Sequence, residues 1–153
     1  MIGSVFHLPD GRVGWAVIEL DIDEETIRAS TRIEILNADG AVTHLAALAG
    51  YAAPVIPSPT GDGFYYRRFE PVLPWFARPT DDDLGFLSLQ DGAAQRLTTL
   101  SPHRGWSPRF AVTADGTNLY LGARGRIWKM ALPSGVREPI VFSATVRHDL
   151  KCR

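Results

Sequence analysis

At 153 residues the chain has room for one ordinary domain with a real apolar core, and not for two. Its 16 basic residues stand against 17 acidic ones, so no bulk attraction to nucleic acid or to an anionic membrane is expected. A hydrophobic share of 45% with 22% charged residues is globular rather than disordered, and 14 glycines with 11 prolines point to many turns. The single cysteine, Cys152, excludes an internal disulfide and a zinc site of several thiolates from one chain, and reads as an exposed thiol. The longest stretch without an acid or base, residues 41–61, holds His44, Pro54, Pro57 and Pro59, so no membrane helix is expected. Met1 to Phe6 has neither a basic start nor a long apolar run and does not read as a secretory signal. The compartment stays open at this point; it would be the cytoplasm if the chain begins here. Arginine outnumbers lysine 14 to 2, which is associated with GC-rich bacterial genomes.

In chain order, turn dipeptides mark the first regularity. Asp10-Gly11, Asp62-Gly63 and Asp115-Gly116 each precede an apolar stretch: Val13 to Ile18, Phe64 to Tyr66, and Leu119 to Leu121. Asp-Gly between such runs predicts a hairpin with a type I′ turn, which needs two residues that tolerate positive φ. A second series follows the first, at Asn37 to Gly40, Gln90 to Gly92 and Pro133 to Gly135. Short alternating strands precede these turns: Arg32 to Leu36, Leu84 to Leu89, and Arg126 to Met130. Further strands follow them: Val42 to Leu45, Gln95 to Leu100, and Val136 to Phe142. The segment Asp23 to Thr31 is expected to be an inter-strand loop, and Phe69 to Asp83 a long connector. No window predicts a convincing helix.

The second-series glycines, Gly40, Gly92 and Gly135, lie 52 and 43 residues apart. Four-stranded propeller blades recur at roughly 40–50 residues. The expected fold is therefore all-β, with three four-stranded antiparallel blades of an incomplete β-propeller at about residues 3–48, 52–100 and 106–143 of one domain, 1–153.

The segment Ser107 to Leu121, with its Ser-Pro-Arg-Phe lead and Asp115-Gly116 turn, resembles the TolB-like, WD-repeat-like propeller motif. Ile56 to Gly63 is similar to a second copy, and Leu8 to Val13 to a third that lacks the Ser-Pro-aromatic lead. Gln95-Arg96-Leu97-Thr98 resembles the Arg-x-Leu-Thr that closes many such blades. The unit with Glu138 to Val146 also looks like the last blade before a bacterial amidohydrolase domain, which this chain does not contain. The resemblance implies a scaffold and no particular activity. Relatives of this kind are often periplasmic.

Catalytic signatures are few. A Gly-x-Ser-x-Gly elbow and a phosphate-binding Gly-x-x-x-x-Gly-Lys loop are both missing from the sequence, and Gly122 to Arg126 reads as a tight turn. The histidines, His7, His44, His103 and His148, are too far apart in sequence for a helical metal pair, and neither Asp21 to Glu25 nor Asp81 to Asp83 matches a calcium loop. Both acidic runs are expected to be solvated loops. No metal, no cofactor and no catalytic residue is assigned.

Two patches are binding candidates. His103, Arg104, Trp106 and Arg109 should join two blades near one mouth of the central channel, where a donor, a cation and a flat ring suit an anionic or peptide ligand. The second patch is Tyr66, Arg67 and Arg68 with Trp75; alternation along a strand reads there as core against surface. The functional expectation is a non-catalytic scaffold for protein or ligand binding. Its ring would be completed by a second copy, as a homodimer, or by another partner chain. The alternative is a split or truncated propeller module of an amidohydrolase or prolyl-oligopeptidase-like hydrolase that gates substrate access.

Overall fold

The structure, a computed structural model, describes residues 1–70, 82–99, 110–123, 126–132 and 134–143. Among them there are twelve strands and no helix, and the chain is all-β with propeller-like blades. The first sheet consists of β1 (Ile2–His7), β2 (Val13–Ile22), β3 (Ile27–Leu36) and β4 (Val42–Ala49). β5 (Tyr51–Pro57), β6 (Gly63–Phe69), β7 (Asp82–Ser88) and β8 (Ala94–Thr99) make the second. The third holds β9 (Phe110–Val112), β10 (Asn118–Ala123), β11 (Arg126–Ala131) and β12 (Arg137–Ile140). Each is antiparallel, and within each the spatial order of strands is their order in sequence.

The hairpin turns differ from the type I′ expectation. In the first, the Gly11 amide donates to the Leu8 carbonyl at 2.9 Å, so Pro9 and Asp10 are the central residues and Gly11 closes the turn at φ 86°. This is an ordinary turn followed by a left-handed glycine, which restores the twist that the flanking strands need. Ser58 to Gly61 and Thr113 to Gly116 close the same way. The glycine that punctuates the second sheet is therefore Gly61, at φ 76°, and not Gly63. Gly63 already belongs to β6, where a Cβ would run into the Leu87 carbonyl and the Phe86 ring.

The first sheet is also longer than the sequence suggested. Asp23 to Thr31 is not one loop, because β2 and β3 pair from Val13↔Leu36 out to Ile22↔Ile27. Asp23 makes this possible: its carboxylate accepts from the Glu25 and Thr26 amides and the Thr26 hydroxyl, folding the four-residue turn locally.

Packing between sheets comes from β6, which is buried on both faces. Phe64 and Tyr66 point toward the first sheet, where they join Phe6, Ala16, Ile33, Ile35, Val55 and Leu87. The Phe6 and Phe64 ring centroids are 5.1 Å apart. Tyr65 points the other way, and with Leu84 meets Phe110, Leu119, Leu121 and Met130 of the third sheet. The alternation of Tyr and Arg on β6 thus separates two cores, not core from surface: Arg67 is only 7% exposed.

The step from first to second sheet is fixed by a buried hydroxyl. Thr31 donates to the Gly50 carbonyl at 3.0 Å and accepts from the Ala52 amide at 2.8 Å. Gly50, at φ 89°, provides the left-handed bend between β4 and β5 that a side chain would strain.

Gly85 lies opposite Tyr66 in the β6–β7 pair, and a Cβ there would strike the Tyr66 ring. Gly85→Ala should destabilise the fold by about 1–3 kcal/mol through overpacking, read as a lower urea midpoint with an unchanged slope.

Candidate functional site

His103, Arg104, Trp106 and Arg109, the first binding patch expected from sequence, lie outside the described residues, as does Trp75 of the second. The rest of the second patch is described. Tyr66 and Arg67 are buried and on opposite faces of β6, so they do not form one surface. The Arg67 guanidinium sits 5.4 Å from the Phe69 ring centroid. Arg68 reaches Asp83 of β7 at 3.2 Å. Burial pushes the Tyr66 phenol up from its ordinary range; the Arg68 charge lowers it and the Asp83 charge raises it. Tyr66 packs in the core between the first and second sheets.

Asp83 corrects a second expectation. It is not in a solvated acidic loop: its side chain is 8% exposed. One oxygen faces Arg68, and the other, Oδ1, is buried without a hydrogen-bond partner. Among the described residues, no group of three His, Cys, Asp or Glu side chains is placed to hold a metal ion.

The arrangement that sequence reasoning missed lies on the face of the first sheet turned away from the second. Cross-strand neighbours Val5, Trp15, Glu34 and His44 share that face, and Val17 and Arg32 lie beside them. Trp15 Nε1 donates to Glu34 at 2.7 Å, Arg32 Nε donates to Glu34 at 2.7 Å, and His44 Nδ1 lies 3.1 Å from the same carboxylate. Arg32 also reaches Glu19. The Arg32 guanidinium holds the Glu34 carboxyl below its ordinary range; burial opposes this and the Trp15 bond adds to it. Around this ladder Val5 is 65% exposed, with Ile2, Leu36 and Val42 also exposed. The signal for it was present in β3, where Arg32 and Glu34 alternate on one face opposite Trp15 and Val17.

The third sheet has a matching outer face. Opposite its buried Leu119, Leu121 and Met130 it carries Tyr120, Ile127 and Ile140, with a Lys129–Glu138 ion pair at 3.2 Å. Tyr120 and Ile127 are both exposed. The two end faces of the three-sheet stack therefore share a pattern of exposed apolar side chains around polar groups that already satisfy one another.

No protein-family model matches the chain, and no curated protein matches its sequence. Solved structures do match. One is a 6-phosphogluconolactonase candidate from Bacteroides uniformis, at 12% identity and TM-score 0.48, covering 90% of this chain and 53% of that one. A protein of unknown function from Desulfotomaculum acetoxidans matches at 12% identity and TM-score 0.51, over 92% of this chain and 55% of that one. The tricorn protease matches at 10% identity and TM-score 0.53, over 97% of this chain and 18% of that one. The chain thus spans about half the length of the first two and under a fifth of the third. At such identities the likeness is one of fold, a β-propeller-like stack of four-stranded sheets.

The turn carboxylates can be checked directly. Asp115 accepts from the Thr113 hydroxyl and from the Thr117 amide and hydroxyl, which lowers its pKa from 3.8 to about 2. A depressed folded-state pKa gives stability that is present above the unfolded value and is lost as pH falls through the folded one. The Asp115 contribution should therefore disappear between about pH 4 and pH 2. NMR titration should place this carboxyl near 2, and Thr113→Val should move it toward 3.8.

Proposed function

We propose that the chain is a non-catalytic scaffold that contributes three adjacent blades to a propeller ring, closed by a second copy of the same chain. The outer face of the first sheet on one copy meets the outer face of the third sheet on the other, and the same contact repeats across the ring. Supporting this reading is the chemistry of those two faces. Three blades are fewer than the four to eight of typical closed rings, and exposed apolar sheet faces invite association unless covered. The Glu34 ladder is internally paired, so covering it leaves no charge without a partner. The Lys129–Glu138 pair opposite has the same property.

Two copies would give six blades, within the usual range. The assembled ring would then present the segment with His103, Arg104, Trp106 and Arg109 twice, for a peptide or small anionic ligand. The proposed role of the ring is binding, with no catalytic step assigned to this chain.

The test is mass in solution. Sedimentation equilibrium should give twice 16.8 kDa, and a folded species of 16.8 kDa at micromolar concentration would overturn the pairing. Val5→Glu and Tyr120→Glu each charge an exposed position on one face, so either variant alone should dissociate the dimer while the monomer stays folded.

A further inference from the structure

Between the second and third sheets, at the edge where their turns lie, is a cavity of about 210 Å³. It is independent of the two outer faces. Thr60 and Asp62 line it from the β5–β6 turn, Tyr65 and Phe86 from the middle strands, Gln95 and Leu97 from β8, and Gly116 and Leu132 from the third sheet. The volume is below the roughly 300 Å³ where drug-sized sites begin, and suits one side-chain-sized molecule.

The walls are divided in chemistry. Phe86, Leu97 and Leu132 form an apolar side, and the Tyr65 and Phe86 ring centroids are 4.9 Å apart in a tilted pair. The polar side is a connected set. The Ser58 and Thr60 hydroxyls are bonded at 2.8 Å, and Thr60 donates to Asp62 at 2.7 Å. Burial alone would raise the Asp62 pKa, but the hydrogen bonds from Ser58 and Thr60 outweigh it and hold the carboxyl below its ordinary range. Asp62 is therefore an anion at neutral pH. Among the described residues it is the one charged side chain lining the cavity, and none of the described lysines, arginines or histidines lines it to offset that charge. A lone carboxylate above an apolar floor selects a ligand with a positive head and a hydrocarbon body. A neutral alcohol would lack the charge, and an anion would be repelled.

We propose that this cavity binds the cationic end of an alkyl chain, an alkylammonium or alkylguanidinium group, with its head on Asp62 and its methylenes against Phe86, Leu97 and Leu132. The group could be a free small amine or the side chain of a lysine or arginine in a peptide.

The experiment uses the full chain, isotope-labelled, with binding read from NMR chemical shifts. n-Butylammonium and n-butylguanidinium are the free probes, and n-pentanol is the neutral control. Acetyl-Gly-Lys-Gly-amide and acetyl-Gly-Arg-Gly-amide are the peptide probes. The cations should produce saturable shifts confined to the residues lining the cavity, with Kd on the order of millimolar for so few heavy atoms. n-Pentanol, and the cations against Asp62→Asn, should bind at least about tenfold more weakly, the usual scale for losing a charge-assisted hydrogen bond. Asp39→Asn, which removes a turn carboxylate of the first sheet that does not line the cavity, should leave affinity unchanged. If Asp62→Asn does not fold, Leu132→Trp fills the same space and should abolish the shifts. A peptide that binds more tightly than its free amine assigns the source as a protein segment; the reverse order assigns a metabolite. Equal binding of n-pentanol, full affinity in both cavity variants, or no saturable shift at tens of millimolar would overturn the proposal.

Discussion

In the middle sheet β6 has no solvent face, and the rest of the structure follows from that constraint. A sheet packed on one side can put its polar residues on the other. The second sheet cannot, because Phe64 and Tyr66 are needed on one side and Tyr65 and Leu84 on the other. Burying a large aromatic or aliphatic side chain stabilises by about 1.5–3 kcal/mol, and β6 does so on consecutive residues. The cost is crowding. Gly63 and Gly85 sit where a Cβ would collide with a neighbouring ring, and the cations of β6 must find partners inside. Arg68 does so with Asp83, and Arg67 lies near the Phe69 ring.

Polar groups are handled in the same way across the molecule: they are satisfied locally before anything packs on them. Thr31 bonds both sides of the step between sheets, and Glu34 gathers Trp15, Arg32 and His44. The turn carboxylates Asp10, Asp23, Asp39, Asp91 and Asp115 each accept from a backbone amide two residues on. Among the described residues the exception is Asp83 Oδ1, buried without a hydrogen-bond partner beside the Arg68–Asp83 ion pair. Buried polar atoms of this kind are few in natural structures, and each costs about 1–3 kcal/mol.

Much of the architecture was legible because it is written locally. Glycines at a fixed place after each apolar run marked the hairpins, and period-two alternation marked the strands. What was not legible depended on three-dimensional context. Pro9 and Pro59 each take the second position of their turns, so a dipeptide such as Asp62-Gly63 can mimic a turn it does not make. Asp23 looked like part of an acidic loop, because a carboxylate that folds its own turn has the same letters as one that does not. Tyr66 and Arg67 looked like core and surface, because alternation cannot tell a second core from solvent. Asp83 looked solvated for the same reason: its partner Arg68 is fifteen residues away along the chain. The Trp15–Glu34–His44 row spans three strands and emerges only once the register is known.

The order of strands in each sheet has a kinetic consequence. Every strand pairs only with its neighbours in sequence, so each sheet can zip up from its own hairpins without waiting for a distant segment. Closing a short loop costs little chain entropy, and folds with local pairing fold faster than those that must bring remote strands together. The slow step then moves from within the sheets to between them. Each newly formed sheet carries an apolar face that must find the next one before it finds another molecule, and during synthesis the first sheet is ready before its partner has been made.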